Sequence, residues 1–478
     1  MKPTKKDPKE KIVIILIGFF LILSLTSIFL LKARLTGEQE NSLQNSPIIS
    51  NRLRYIAECK EPLFMALEKQ TEGSCGTSCI PDHPPITLHH YGKCKTNKKG
   101  ILKSFNLGDS FMEDFVGDGD GDGFREVVLI PLEDSQVFYV YSGKTGNLVI
   151  QKNIGVPIKK IFGLEDVNGD GKGDVAIRIA NGLVSGSGQI EFSKVRIYDG
   201  ATGNLISEIN PSSEQAWEQF GDYVENLGDL NGNGMNELGI SSPKYDSTID
   251  VAHNGGKTRI YSFSQGSFNE LDAVFGAQGN FDGITGIGPL GNLNGGSDKE
   301  FYISGDDIMS VYSFTSGNGV FLKEIVVEAS LPIINFAEAI DFTNDGNKEL
   351  IIAQPKAYSL LQGIFGLVEI YDPNLVTLYW SKTNEKILSL DSQLNTHFGR
   401  DIAIIDDITG DGIEELVISA SGGWAKHNYN NWMGDLNHPY QKVAGVIYIL
   451  DVVQDEVIQR YLGDVEYQGL GHRLTSIE

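Results

Sequence analysis

The residues best placed to do chemistry are oxygen donors in short, glycine-containing clusters that recur along the chain. The first cluster holds Asp118, Asp120, Asp122, Gly123 and Glu126, followed by an apolar run at 127–130. Counted from the first acid, these are positions 1, 3, 5, 6 and 9. The second cluster repeats them as Asp166, Asn168, Asp170, Gly171 and Asp174, and the third as Asp229, Asn231, Asn233, Gly234 and Glu237. The fifth has Asp341, Thr343, Asp345, Gly346 and Glu349, and the sixth Asp407, Thr409, Asp411, Gly412 and Glu415. The fourth is degraded to Asn292, Asn294, Gly296, Ser297 and Glu300.

Donors at positions 1, 3 and 5 of a tight loop converge on one point. Calcium takes six to eight hard oxygen ligands, so a backbone carbonyl at position 7 and the acid at position 9 complete a shell. Glycine at position 6 supplies the left-handed turn. Five clusters therefore read as Ca2+ sites, ranked one and two first, then six, five and three. The fourth has no acid at positions 1, 3 or 5 and is not read as a site. A helix-flanked calcium loop is excluded, because it needs Glu at position 12. Position 12 is Leu129 in the first cluster and Ile177 in the second, both inside strand-like apolar runs. A turn-only reading suits any single cluster, but not six in one register. The expected role of the metal is structural, since a divalent ion turns carboxylate repulsion into a staple.

The elements that must position these loops follow from the spacing. Cluster starts recur at intervals of roughly 50–65 residues, the scale of a repeated supersecondary unit rather than of separate domains. Between them lie β-branched and aromatic runs at 137–141, 195–198, 258–263, 367–371 and 446–450. Turn signals at 141–146 and 198–203 mark hairpins. No convincing amphipathic helix follows residue 100. Each unit is expected to hold about four strands. The fold class is all-β, and residues 101–478 are expected to form a β-propeller.

Residues 12–31 are uncharged and almost all apolar, long enough to cross a bilayer as a helix. Lys2, Lys5, Lys6, Lys9 and Lys11 precede them, which orients 1–11 as a cytoplasmic tail and the remainder outside. The stretch ends Leu30-Leu31-Lys32-Ala33-Arg34, a poor cleavage site, so an uncleaved signal-anchor is expected. Residues 32–100 read as a stalk carrying Cys59, Cys75, Cys79 and Cys94. In that compartment these are disulfide candidates with three pairings open. A zinc site from Cys75, Cys79, His83 and Cys94 is the alternative. The net charge of −24 opposes nucleic acid phosphates, so no nucleic acid partner is expected. The lack of an Asn-x-Ser/Thr acceptor fits a prokaryotic source.

The clusters and their surroundings resemble the FG-GAP repeat of integrin α subunits. Phe220-Gly221 precedes cluster three, Phe398-Gly399 precedes cluster six, and Phe162-Gly163 lies close to cluster two. Ser242-Pro243 and Gln354-Pro355 follow the apolar runs of clusters three and five. The resemblance covers about residues 101–478. It implies a propeller of seven blades, with calcium loops on one face and ligand-binding loops usually on the other. Only six clusters exist here. Leu470-Gly471 looks like the start of another Phe-Gly strand, so N-terminal strands, such as 101–106 and 86–90, are expected to complete a seventh blade. Six blades is the alternative.

No nucleophile elbow, phosphate loop or His-Glu-x-x-His motif is present, and the chain is not read as an enzyme. His89 and His90 are expected to be structural. The ligand candidates are Trp424, His427, Tyr429, Trp432, His438 and Tyr440, grouped in the long segment 422–442. Aromatics on a long surface loop fit recognition of a protein or glycan. Cell-surface recognition or adhesion is the leading expectation. A polysaccharide-acting lyase and a scaffold of an envelope complex are the alternatives.

Overall fold

The apolar run after each acidic cluster becomes a strand that is buried on both faces, and this decides how the sheets are built. The structure is a computed structural model. It describes residues 62–70, 85–92, 101–131, 133–185, 188–212, 218–245, 256–275, 284, 286–293, 299–305, 308–315, 318–326, 336–341, 343, 348–355, 358–359, 363–364, 366–371, 378–383, 398–420, 445–462 and 468–477. The expected membrane span 12–31, the four cysteines, His83, Asp345 and the aromatic segment 422–442 lie outside the described residues. Among the described residues, no helix is long and apolar enough to cross a membrane.

β1 (Pro62–Gln70) pairs with β2 (Pro85–Gly92), and β2 with the first half of β3 (Ile101–Val116). The second half of β3 pairs with β4 (Glu126–Pro131), which is followed by β5 (Val137–Tyr141) and β6 (Leu148–Asn153). Gly108, at φ 91°, stands where β3 changes partner. The next sheet is β7 (Ile158–Leu164), β8 (Asp174–Ser185), β9 (Gly188–Asp199) and β10 (Leu205–Ile209). It is followed by β11 (Val224–Asn226), β12 (Leu238–Ser242), β13 (Lys257–Ser264) and β14 (Ser267–Phe275), then by β15 (Gly286–Gly291), β16 (Glu300–Ser304), β17 (Ile308–Thr315) and β18 (Asn318–Val326). β19 (Phe336–Ile340) and β20 (Glu349–Gln354) open a further sheet. The short pair β21 (Tyr358–Ser359) and β22 (Gly363–Ile364) interrupts it before β23 (Leu367–Tyr371) and β24 (Leu378–Thr383) complete it. The last sheet is β25 (Phe398–Ile405), β26 (Glu415–Ala420), β27 (Val446–Asp451) and β28 (Glu456–Leu462). β29 (Gln468–Ser476) then returns to pair with β1.

Every residue of β4, β12, β16, β20 and β26 is buried, whereas β6 and β14 expose residues along their length. A strand covered on both faces reads as a continuous apolar run, and alternation survives only where one face meets water. The covering comes from the neighbouring sheets. Val128 and Ile130 of β4 pack with Val175 and Ile177 of β8. Val195 and Ile197 of β9 pack with Leu238 and Ile240 of β12. The same joint recurs between the β11–β14 and β15–β18 sheets, between β16 and β20, and between β20 and β26. The last sheet packs Val417 and Ile447 against Phe64 and Ala66 of β1, and β1 in turn packs Met65 and Leu67 against Val127 and Leu129 of β4. The first strands run side by side in the same order, β3 by β7, β7 by β11, β11 by β15, β15 by β19, β19 by β25, β25 by β29, and β29 by β3. This is an all-β, propeller-like succession of sheets.

Residues 61–92 and 99–478 form one compact unit. The 32–100 segment, expected to be mainly stalk with a strand at 86–90, thus supplies two core strands, β1 and β2. The reason is visible in the side chains. Phe64 is fully buried, stacks on Tyr91 at 4.9 Å and meets Tyr461 edge-on at 5.8 Å. β29 is held from both sides, as the Leu474 amide donates to Asp401 Oδ2 at 2.8 Å and Arg473 faces Asp114 Oδ1 at 3.8 Å. Truncating Phe64 to Ala is expected to cost about 3–5 kcal/mol. Thermal denaturation checks this; a melting temperature equal to that of the unaltered protein would detach β1 and β2 from the cooperative core.

Candidate metal centre

In loops one, two, three and six the acidic cluster bridges the first and second strands of a blade-like group, where the chain reverses over nine to eleven residues. The acid at position 1 organises the reversal. Asp118 Oδ1 accepts the amides of Asp120, Gly121 and Asp122 at 3.2, 2.7 and 3.2 Å, and Oδ2 accepts that of Gly123 at 2.8 Å. Asp166, Asp229 and Asp407 hold the position-6 glycine amides of their own loops in the same way, at 2.7, 3.0 and 2.8 Å. Position 6 is left-handed as expected, with Gly123 at φ 84° and Gly171 at φ 81°. Position 4 is left-handed too, with Gly121 at φ 77° and Gly169 at φ 84°.

The acid at position 9 does a second job that spacing alone concealed. It opens the buried second strand and reaches back to the amide of position 2. Asp174 Oδ2 accepts Val167 at 3.0 Å, Glu237 Oε2 accepts Leu230 at 2.7 Å, and Glu415 Oε2 accepts Ile408 at 2.7 Å. Glu126 does the same with Gly119. Glu300 of the degraded fourth cluster also keeps this bond, to Leu293 at 2.9 Å. Position 9 therefore fastens the loop to the strand whether or not the loop carries other acids. The signal in the sequence was Glu300 itself, an acid retained in a cluster without acids at positions 1, 3 and 5.

Loop one differs from the rest in what faces the other oxygen of this carboxylate. In loops two and three, the position-3 amides Asn168 and Asn231 donate to Asp174 Oδ1 at 3.2 Å and Glu237 Oε1 at 2.6 Å. In loop six the Thr409 amide donates to Glu415 Oε1 at 3.0 Å, and in loop five the Thr343 hydroxyl donates to Glu349 Oε1 at 3.2 Å. In loop one, position 3 is Asp120, which has no proton to give when ionised. Glu126 is 2% exposed, and its Oε1 is buried without a hydrogen-bond partner. One carboxylate oxygen from each of Asp118, Asp120 and Glu126 falls within 4.8 Å of the others. A buried, unpartnered carboxylate oxygen beside two further acids is costly alone and suits a divalent cation. Asp122 lies next to them and holds the Phe124 amide at 3.1 Å. Lys144, which the sequence reading passed over, reaches the Asp122 carbonyl at 3.0 Å and lies over the Phe124 ring at 5.3 Å.

Burial sets several position-9 acids apart from Asp407. Desolvation pushes Glu126 and Asp174 up to about 8, with the neighbouring acids adding to the rise. Desolvation likewise raises Glu415 to about 7. Burial alone would raise Asp407, but the amides of Gly410, Gly412, Thr409 and Asp411 outweigh it and hold its carboxyl below the usual range. The two histidines are structural: His89 links Ser104 Oγ at 2.8 Å to Glu68 Oε2 at 3.1 Å, and His90 contacts the Gly143 carbonyl oxygen at 2.6 Å.

No protein-family model matches the chain, and no curated protein matches it in sequence. Among solved structures, it is similar to Saccharomyces cerevisiae Sqt1, at 10% identity and TM-score 0.45, covering 74% of this chain and 75% of that one. It is also similar to BBS1N in complex with ARL6DN, at 10% identity and TM-score 0.42, covering 75% and 87%. A third is KlAtg21 in complex with the coiled coil of AgAtg16, at 13% identity and TM-score 0.40, covering 66% and 82%.

The raised carboxylates set a pH dependence for the metal-free chain. The unfolded chain loses these protons near the ordinary carboxylate pKa, the folded chain only near 8. Their stabilisation is therefore complete below the unfolded pKa and is lost as pH rises through about 8. With chelator present, the melting temperature is expected to fall steadily between about pH 5 and pH 8.5. Saturating calcium should flatten that slope, and differential scanning calorimetry in both conditions checks the pair.

Proposed function

We propose that the chain is a calcium-stapled β-propeller of FG-GAP type, held outside the cytoplasm by its apolar segment 12–31, that serves in cell-surface recognition or adhesion. The observation that carries the metal part is the unpartnered, buried Glu126 Oε1 facing Asp118 and Asp120. Asp118, Asp120, Asp122 and Glu126 would hold the ion. The ion would supply the positive charge that lets four carboxylates share one tight turn. Loops two, three, five and six have the same register, but their position-9 acids are already bonded through both oxygens, so loop one ranks first.

Seven blades are proposed. Support comes from seven core joints among the described residues, six between different sheets and one between β1 and β4, the two ends of the sheet that β3 bends through, and from the β29–β1 pairing. Such closure leaves no open sheet edge at the joint. Recognition is assigned to segment 422–442. In chain order it follows β26, whereas loop six precedes that strand.

Glu126→Gln separates the metal reading from a turn-only reading. The amide keeps an oxygen for Gly119 and has no charge to desolvate, so at pH 8.5 the chelated protein should melt higher than the unaltered one. The same variant should lose most of the calcium-induced rise. Calcium raising both proteins equally would sink loop one as the site. For recognition, a glycan and peptide array is expected to give a ligand whose binding falls at least tenfold in Trp424→Ala and Trp432→Ala. Undiminished binding by both variants would place recognition elsewhere.

A further inference from the structure

The hairpin turn between β5 and β6 is built against loop one and carries a cation to it. Ser142 to Gly146 form the turn, closed by the Gly146 amide donating to the Ser142 carbonyl at 2.8 Å. A Cβ on Gly143 would fall 1.9 Å from the carbonyl oxygen of Arg125, position 8 of the loop, so turn and loop meet backbone on backbone. His90 of β2 holds both sides of this meeting. Its Nε2 donates to the Gly143 carbonyl oxygen at 2.6 Å, and its ring stacks on that of Phe124, position 7, at 5.3 Å. From this fixed base Lys144 lies over the Phe124 ring at 5.3 Å and donates to the Asp122 carbonyl at 3.0 Å. Its ammonium comes within 3.9 Å of Asp122 Oδ2.

The turn itself does not call for a lysine. The turn between β9 and β10 repeats its geometry, with the Gly203 amide donating to the Asp199 carbonyl at 2.8 Å and Gly203 at the same φ of 69° as Gly146. At the position of Lys144 that turn has Ala201. The Lys144 side chain therefore acts outside its own turn, on one of the four acids proposed to hold the ion. An ammonium there offsets part of the negative charge that draws a cation in, and it repels the cation on entry. The affinity of an oxygen-lined calcium site follows the charge count of its ligands. We infer that Lys144 is a resident competitor of the loop-one cation, lowering the affinity of that loop for calcium. Such weakening suits a compartment where the ion is abundant. This inference rests on loop one as the metal site, which stands on the separate observation of Glu126 Oε1. Lys144 touches no ion itself and acts through Asp122 and the local field.

The test is a calcium titration of the full chain by calorimetry, with the chelated melting temperature recorded as a folding control. Lys144→Met keeps an apolar stem over Phe124 and removes the charge, Lys144→Ala copies the turn that holds Ala201, and Lys144→Arg keeps the charge. Each is measured with and without Glu126→Gln, and the binding lost on Glu126→Gln is the share of loop one. Lys144→Met and Lys144→Ala are expected to bind calcium at loop one about threefold tighter or more. The gain should shrink as sodium chloride is raised. Lys144→Arg should bind as the unaltered chain does, and no Lys144 substitution should change the calcium binding that survives Glu126→Gln. An unchanged or weaker loop-one constant in both Lys144→Met and Lys144→Ala would overturn the competitor role while leaving the metal reading intact. An equal gain in Lys144→Arg would do the same, since packing rather than charge would then be responsible. Calcium binding that is identical with and without Glu126→Gln would overturn the metal reading and this inference with it.

Discussion

A carboxylate at the mouth of a strand buried on both faces is the constraint on which the rest of this structure depends. The strand must be apolar because sheets cover both its sides. The loop before it must reverse sharply because the strand it leaves lies alongside. The residue at the junction has to bond backbone amides of the loop while standing in an environment that penalises its charge. Glu126, Asp174, Glu237, Glu300 and Glu415 all accept that position-2 amide. Desolvation makes Glu126, Asp174, Glu237 and Glu415 harder to ionise than free carboxyls.

The placement of the loops next to one another follows from packing rather than from the loops themselves. Sheets meet through apolar joints, which bring the start of each second strand close to that of its neighbour. Backbones approach so closely there that glycine is required at Gly163 and Gly173. A Cβ on Gly163 would fall 1.7 Å from the Phe115 carbonyl oxygen. The hydrophobic effect thus sets the spacing, and the polar contacts between loops exploit it.

Much of the fold was legible because period and register survive in the residues. The run 137–141 became β5 and 367–371 became β23 with unchanged bounds. The glycines Gly146 and Gly203 are left-handed, both at φ 69°, as hairpin turns require. The strand at 86–90 was expected, but the part played by 62–70 was harder to read. β1 and β2 carry no acidic loop, so nothing in them repeats, and their partner β29 lies at the far end of the chain. At the candidate metal centre, the recurrence of oxygen donors was legible, whereas the partner of each position-9 acid was not. Asn168 and Asp120 look interchangeable as oxygen donors. Only geometry shows that an asparagine amide satisfies the position-9 acid and an aspartate leaves it unmet.

The pairing of Phe64 with Ser476 also shapes how the protein reaches its folded state. These residues are separated by about four hundred positions, so their contact carries a large loop-closure entropy and a high contact order. Sheets made of neighbouring strands can assemble as soon as each is synthesised. The joint between β29 and β1 has to wait for nearly the whole chain. During that interval β1 has an unpaired edge of main-chain donors and acceptors, open to any extended segment nearby. Pairing of β29 with β1 therefore comes late, once most of the chain between them has been made.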